Sequence, residues 1–286
     1  MAKKNKGEAG ENPLVPNAKL REMYVAMRQA RALEEAVAKK VSGKGRKSRP
    51  GSIRGQEAVR AATALQLCPH DLVSDTEQSA GMASLLGSDP SLLLKAFTSP
   101  EAKTSSIPRL LATIANAEER LRMTLGAALA LKAQGQKGVV VAYLHKDELS
   151  PAAYRRLLKP AAKYELPAIF VVLPHLKQVD DVAKIAKIAG KSGVPGIPVD
   201  ACDAVALYRV TQESLGRTRA GDGPVLLECV SWRIEGSRKT ATATDPLEQL
   251  KSFLVGRKIS TPAWFNQVDR DSRRRLKTKG AASKVS

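Results

Sequence analysis

The chain has 286 residues, of which 43% are hydrophobic and 4% aromatic. No apolar run approaches the roughly 20 residues that a membrane-spanning helix needs, so we expect no membrane insertion. Three cysteines that form no CxxC pair argue against a zinc cluster or a disulfide framework. The first segment lacks the apolar stretch of a secretory signal, which predicts a cytoplasmic protein.

Most of the formal net charge of +19 lies in two stretches of the chain. Residues 39–54 hold seven basic side chains and no acidic one, and residues 270–286 hold seven basic side chains and one acidic one. Such clusters are typical of solvated segments and of electrostatic contacts with phosphates. Because neither stretch has interleaved aromatic residues, nucleic-acid binding is the least favoured function class.

The predicted elements are helices in the first half of the chain and alternating strands and helices in the second. We expect a disordered polar tail over 1–17 and a basic helix end and tail over 266–286, on either side of one α/β domain over 18–265. Outside the central segment, helices are predicted at 18–41, 56–67, 78–86, 90–97, 115–134, 179–190, 203–219, 246–255 and 262–276, and strands at 197–199 and 225–230.

The central segment has the pattern of a strand, a helix and a second strand. The apolar runs 139–144 and 168–173 have the length of buried parallel strands, and Ser150 followed by Pro151 begins the helix between them. The whole pattern predicts a doubly wound, mainly parallel sheet flanked by helices. Ligands of such sheets bind outside the carboxyl ends of the strands. The residues at these two strand ends are His145, Lys146, Asp147, Pro174 and His175.

Six stretches, in a common order and spacing, resemble the alpha subunit of the thiamine-diphosphate-dependent 2-oxo acid dehydrogenases of the pyruvate and branched-chain type. The stretches are LREMYVAMRQARALEE from Leu20, RGQEAV from Arg54, LGAALALK from Leu125, LPAIFVV from Leu166, VDACD from Val199 and AGDGPVLLE from Ala220. The resemblance covers residues 18–265 and implies the thiamine-diphosphate-binding fold.

The positions that hold the cofactor in that family are changed in this chain. The resemblance implies a GDG sequence at the end of the first strand and two asparagines at the end of the second, whose Asp and Asn hold the magnesium ion of the cofactor. Lys146 stands at the Asp position, and Pro174 and His175 stand at the Asn positions. Magnesium needs oxygen ligands, and an ammonium group offers only donors. Asp147 and His175 therefore remain as weak stand-ins for metal ligands.

Further cofactor positions of the family are replaced as well. The Tyr and Arg of its YRDHG sequence correspond to the stretch 77–81, which contains neither residue type. The histidine at the mouth of the family's active site corresponds to Ser237. The resemblance places Gln56, Glu57 and Ser237 near a subunit interface or the entrance of the site.

The two histidines at the strand ends admit two interpretations. In the first, His145 and His175 form a repurposed site with Asp147, as an anion pocket, a general base or a two-histidine metal site. In the second, they are polar loop residues that fill a vacated pocket. Two histidines without a firm third ligand do not define a metal centre, which favours the second interpretation.

Together these replacements favour a degenerate alpha-type subunit that is non-catalytic and has a structural or regulatory role. For such a subunit no cofactor is expected, and its partner is a beta-type dehydrogenase subunit or a second copy of itself. The alternative is an active oxidative decarboxylase of 2-oxo acids that uses thiamine diphosphate and magnesium through an altered metal site. A nucleic-acid-binding protein that uses the basic segments is a further alternative.

Overall fold

A computed structural model describes residue 12 and residues 14–42, 51–99, 107–174, 183–231 and 245–277. The described residues form one sheet of five strands. The strands are β1 (Leu72–Ser74), β2 (Val140–His145), β3 (Ala168–Leu173), β4 (Gly196–Asp200) and β5 (Val225–Val230). All neighbouring strands are parallel, and their order across the sheet is β1-β2-β3-β5-β4.

Ten helices surround the sheet in the described parts of the chain. They are α1 (Asn17–Ser42), α2 (Glu57–Ala64), α3 (Ala80–Leu85), α4 (Pro90–Thr98), α5 (Ala117–Ala133), α6 (Pro151–Lys163), α7 (Lys184–Lys191), α8 (Ala204–Ala220), α9 (Pro246–Gly256) and α10 (Pro262–Arg275). None of these described helices is both long enough and apolar enough to cross a membrane.

Each face of the sheet packs against its own set of helices. In β2, Val141 and Tyr143 point to the core that contains α1, α2 and α8, whereas Val140 and Ala142 point to the core that contains α5, α6 and α7. Both sets of side chains are almost completely buried. Because both faces are covered, the central strands are continuous apolar runs without the alternation of a half-exposed strand.

The order of the strands determines where a crevice can form. The connections that advance across the sheet, through α5, α6 and α7, lie on one face, and the connection that returns from β4 to β5, through α8, lies on the other. This is the arrangement that right-handed crossovers require. Helix α7, the described helix after β3, and helix α9, the described helix after β5, lie on opposite faces. Ligands of parallel sheets bind outside the carboxyl ends of strands at such a point.

The predicted α/β fold is confirmed, and most of its elements lie within a few residues of their predicted places. β3 and β5 have the predicted bounds. β1 was not predicted, because it has only three residues and therefore no pattern that distinguishes it from a loop. The first part of the helix predicted at 179–190 lies outside the described residues.

Helix α10 packs against α1 and continues past the boundary expected at 265. Tyr24 of α1 contacts both Trp264 and Phe265 of α10, with ring centroids 5.6 and 4.8 Å apart. Arg28 of α1 forms an ion pair with Asp269 of α10. The basic stretches 43–50 and 278–286 lie outside the described residues.

Candidate functional site at the carboxyl ends of the strands

The predicted site residues that the structure describes lie together at one edge of the sheet. His145 is the last residue of β2 and is level with Leu173, the last residue of β3. Lys146 and Asp147 follow β2, and the buried Pro174 follows β3. His175 and Ser237 lie outside the described residues, so their proposed roles stay predictions.

Lys146 reaches across the end of β3 to a carboxylate of β5. Its Nζ lies 3.5 Å from Oε1 of Glu228, and the side chains of Lys146 and Glu228 are 11% and 0% exposed. The other oxygen of Glu228 accepts a hydrogen bond from the backbone N–H of Ala186 at 2.7 Å. The position to which the sequence resemblance assigns a metal ligand thus carries a cation that is paired inside its own chain.

A second, partly buried ion pair supports the loop after β2. Arg120 of α5 is 1% exposed, donates from Nη2 to Oε2 of Glu148, and donates from Nη1 to the carbonyl of Ile114 at 2.9 Å. Oε2 of Glu148 also accepts the backbone N–H of His145 at 3.1 Å. Glu148 therefore links α5 to the first turn of the loop and fixes the direction in which the chain leaves β2.

Tyr154 of α6 adds a neutral polar group near these ion pairs. Lys146, Glu228, Arg120, Glu148 and Tyr154 together are called the strand-end cluster. Burial raises the pKa of Tyr154, and the negative charges of Glu148, Glu228 and Asp147 raise it further, so the phenol keeps its proton. Three buried polar atoms of the cluster have no hydrogen-bond partner among the described residues. They are the Tyr154 hydroxyl, Arg120 Nε and Glu228 Oε1, of which the last makes only the ion pair with Lys146.

A magnesium ion does not fit the side chains that are described at this edge. Lys146 donates hydrogen bonds and repels a cation, and Pro174 has no side-chain oxygen. In the parts of the chain that the structure describes, no three His, Cys, Asp or Glu side chains are placed to share a metal ion. Asp147 alone of the two predicted stand-ins is described, and one carboxylate does not make a magnesium site.

Gln56 and Glu57 lie elsewhere, beneath the protein surface. Gln56 Oε1 accepts a hydrogen bond from Arg60 at 3.0 Å. The carboxylate of Glu57 accepts from Arg31 and from the backbone N–H of Gly55, both at 2.7 Å. Both side chains are buried and paired within the chain, and their predicted role at an interface or entrance stays a prediction.

Sequence reasoning missed the partners of Lys146 and of the loop. A charged residue inside an apolar strand is a usable signal, and Glu228 in VLLECV has it, because buried carboxylates are rare unless they are paired. Arg120 has a weaker signal, since it is one of several charged residues near the start of α5. Nothing in the local sequence distinguishes Glu148 from a solvated loop residue.

Comparison with known proteins gives one family. Residues 25–276 match the family described as dehydrogenase E1 component. The chain is similar to pyruvate dehydrogenase E1 component subunit alpha-3, chloroplastic, of Arabidopsis thaliana, with 28% identity over 153 residues, which cover 46% of this chain and 36% of that protein. It is also similar to the pyruvate dehydrogenase E1 component subunit alpha of Staphylococcus aureus strain MRSA252 (30% over 168 residues, 51% of this chain and 45% of that protein). The corresponding subunit of Bacillus subtilis strain 168 is 27% identical over 179 residues, which cover 54% of this chain and 47% of that protein.

The matched segment spans less than half the length of each of these relatives. The family match nevertheless corrects one expectation from the sequence. The expectation that no cofactor is needed is wrong, because the family to which residues 25–276 match depends on thiamine diphosphate. The chain belongs to the dehydrogenase E1 component family, and the relatives named above are alpha subunits of pyruvate dehydrogenase.

Proposed function

We propose that this chain is a degenerate alpha-type subunit, which does not itself catalyse the family's reaction and has a structural or regulatory role in a 2-oxo acid dehydrogenase assembly. The observation that carries the proposal is the ion pair between Lys146 and Glu228. It fills the end of β2 with a cation at the position where the family holds a metal-binding carboxylate.

Breaking the ion pair between Lys146 and Glu228 costs free energy. Glu228 is fully buried, so moving Lys146 away would leave an uncompensated charge in the protein interior. Arg120 and Glu148 hold the following loop in place from the other side. The end of β2 and the loop after it are thus held by ion pairs within the chain.

Thiamine diphosphate is the cofactor of the family, and the assembly that contains this chain is expected to contain it. In the family resemblance, the cofactor lies between subunits. A subunit whose own ligand positions are replaced still contributes one wall of such a site and still pairs with a beta-type subunit or with a second copy. We therefore place the proposed role in assembly and in control of a neighbouring site.

The test is turnover by the assembled complex. The full chain is co-expressed with the beta-type subunit of a related 2-oxo acid dehydrogenase, and reduction of a dye acceptor is followed with pyruvate or a branched-chain 2-oxo acid, thiamine diphosphate and magnesium. We expect the subunits to co-purify and dye reduction to stay at the level measured without substrate. Substrate-dependent dye reduction by this complex would contradict the non-catalytic role.

An active decarboxylase with an altered metal site is the second candidate, and the similarity to named pyruvate dehydrogenase subunits favours it. Asp147 is then the carboxylate on which turnover depends. Activity that is lost in Asp147→Ala but kept in Asp222→Ala would support this candidate. Asp222 is a matched control because it precedes β5 and so lies at the opposite edge of the sheet.

A further inference from the structure

A cavity of about 310 Å³ lies between helices α1 and α10. Val25 and Gln29 of α1 form one side of it, and the side of α10 that runs from Trp264 to Arg275 forms the other. Its volume is at the lower end of the range of about 300–1,000 Å³ that is typical of sites for small ligands. This cavity, called the α1–α10 groove, shares no residue with the strand-end cluster.

One end of the α1–α10 groove is apolar and aromatic. It is lined by Val25, the half-buried Trp264 and the buried Val268. The indole ring of Trp264 packs against the rings of Tyr24 and Phe265, with centroids 5.6 and 5.0 Å apart. Because these two rings support it from within the protein, Trp264 presents a preformed flat surface to an apolar group.

The other end of the groove is charged and held by hydrogen bonds. Nη2 of Arg274 lies 3.2 Å from Oδ1 of Asp271, and Nη1 of Arg275 lies 3.5 Å from Oε1 of Gln29. Gln267 donates a hydrogen bond to the other oxygen of Asp271 at 2.8 Å. Side chains on a helix lean toward its N-terminus, so the two guanidinium groups lean back toward the apolar end.

The charged end favours an anion. Residues 270–277 hold five basic side chains and one acidic one. The pKa of Asp89, at the start of α4, is lowered by its hydrogen bond with Ser91 and also by the charge of Arg275, so one further acid lies near this end. The net charge stays positive when Asp89 is counted. A planar carboxylate matches the fork of donors on a guanidinium group.

We propose that the α1–α10 groove binds a small carboxylic acid with an aromatic or aliphatic body. The body packs on Trp264, Val25 and Val268, and the carboxylate accepts hydrogen bonds from Arg274 and Arg275. An inorganic anion leaves the apolar end uncovered, and an uncharged apolar molecule gains nothing from the guanidinium groups. This binding does not depend on whether the strand-end cluster is catalytic, so its test and the turnover test can fail separately.

The probe is 3-phenylpropionate, titrated into the full chain. Because the chain has two tryptophans, Trp232→Phe leaves Trp264 as the single fluorescent reporter. We expect a saturable change in its fluorescence with a dissociation constant of about 1 mM or lower. Calorimetric titration of the unsubstituted chain with the same acid is expected to give the same constant. Neutral 3-phenylpropanamide and inorganic phosphate are each expected to bind at least about fivefold more weakly.

Substitutions at the charged end test the position of the carboxylate. The double variant Arg274→Gln with Arg275→Gln is expected to raise the dissociation constant of 3-phenylpropionate at least about fivefold. Arg273→Gln is the matched control, because Arg273 is an exposed arginine of the same helix that does not line the groove. It is expected to raise the constant less than about twofold, through screened attraction alone.

Three results would overturn the proposal. The first is the absence of saturable binding of 3-phenylpropionate in both measurements. The second is equal weakening by Arg273→Gln and by the double variant, which would mean that general positive charge attracts the acid. The third is binding of the amide or of phosphate as tight as that of 3-phenylpropionate, which would mean that only one end of the groove is used.

Discussion

Two buried tyrosines differ in the hydrogen bonding of their hydroxyl groups. The hydroxyl of Tyr143 in β2 forms a hydrogen bond with Thr63 of α2, and the guanidinium of Arg60 lies 4.5 Å from the centre of its ring. The hydroxyl of Tyr154 in the strand-end cluster has no partner among the described residues. The same substitution therefore has different consequences at the two positions.

Tyr154→Phe is expected to change the free energy of unfolding by less than about 0.5 kcal/mol, because it removes a hydroxyl without a described partner. Tyr143→Phe is expected to lower it by about 1 kcal/mol, because it removes the buried hydrogen bond between Tyr143 and Thr63. Urea unfolding curves of the two variants and wild type measure the difference. A larger loss for Tyr154→Phe than for Tyr143→Phe would mean that the Tyr154 hydroxyl holds an important partner.

Loss of the Glu148 charge is expected to lower the free energy of unfolding more than loss of the charge of a glutamate at the surface. Glu148→Gln removes the charge that balances the buried Arg120 and is expected to lower the free energy of unfolding by about 2 kcal/mol. Glu118→Gln is the control, because Glu118 pairs with Arg122 and Arg156, which are both well exposed. Its expected effect is below about 0.5 kcal/mol. Equal losses in the two variants would contradict the structural role of Glu148.

At the level of helices and strands, much of the fold follows from sequence pattern. β3 and β5 were predicted with their bounds because each is a six-residue, mainly apolar run. The start of α6 was predicted from Ser150, whose hydroxyl accepts the N–H of Ala153. β1 was missed because three residues carry no periodicity.

The candidate site was predicted only in part, and strand order is the reason. The sequence placed His145, Lys146, Asp147 and Pro174 at one edge of the sheet, since parallel strands end on the same side. It could not identify Glu228 as the partner of Lys146, because that contact exists only if β5 lies next to β3. Pairing of distant strands is not encoded in any local pattern.

The start of α9 gives the protein a pH-dependent contribution to stability. Burial alone would raise the pKa of Asp245, but the hydrogen bond and charge of Arg31, with the N–H groups of Leu247 and Glu248, lower it below its usual value. A carboxyl group whose pKa is lower in the folded state stabilises the fold above its unfolded pKa, and this contribution is lost as the pH falls through the folded pKa. The relevant window thus lies below about pH 4.

Asp245→Asn is expected to lower the free energy of unfolding by about 0.5–1 kcal/mol at neutral pH, a value that allows for solvent screening of a partly exposed pair. The difference from wild type should shrink as the pH falls through the window of this carboxyl group. Denaturant unfolding at a series of pH values measures it. Asp203→Asn at the start of α8 controls for the helix cap, because Asp203 has no ion pair with a described residue. A difference that stays constant with pH would contradict the account.

For the molecule as a whole, the carboxyl ends of the central strands carry charged side chains that pair within the chain. Two ion pairs, Lys146 with Glu228 and Arg120 with Glu148, connect different structural elements, and each has one fully or almost fully buried partner. The proposed loss of catalysis is thus linked to the fold, because the charged residues at the positions that the resemblance assigns to the metal site also connect the strand ends.

The most direct measurement is the coupling energy between Lys146 and Glu228, from unfolding of Lys146→Met, Glu228→Gln and the double variant. Lys146→Met should lower the free energy of unfolding by about 3 kcal/mol, because it leaves Glu228 charged and buried. The double variant should lose much less than the sum of the single losses, with a coupling of about 1–3 kcal/mol. Losses that add to within about 0.5 kcal/mol would contradict the claim that Glu228 holds Lys146 at the position of the family's metal ligand.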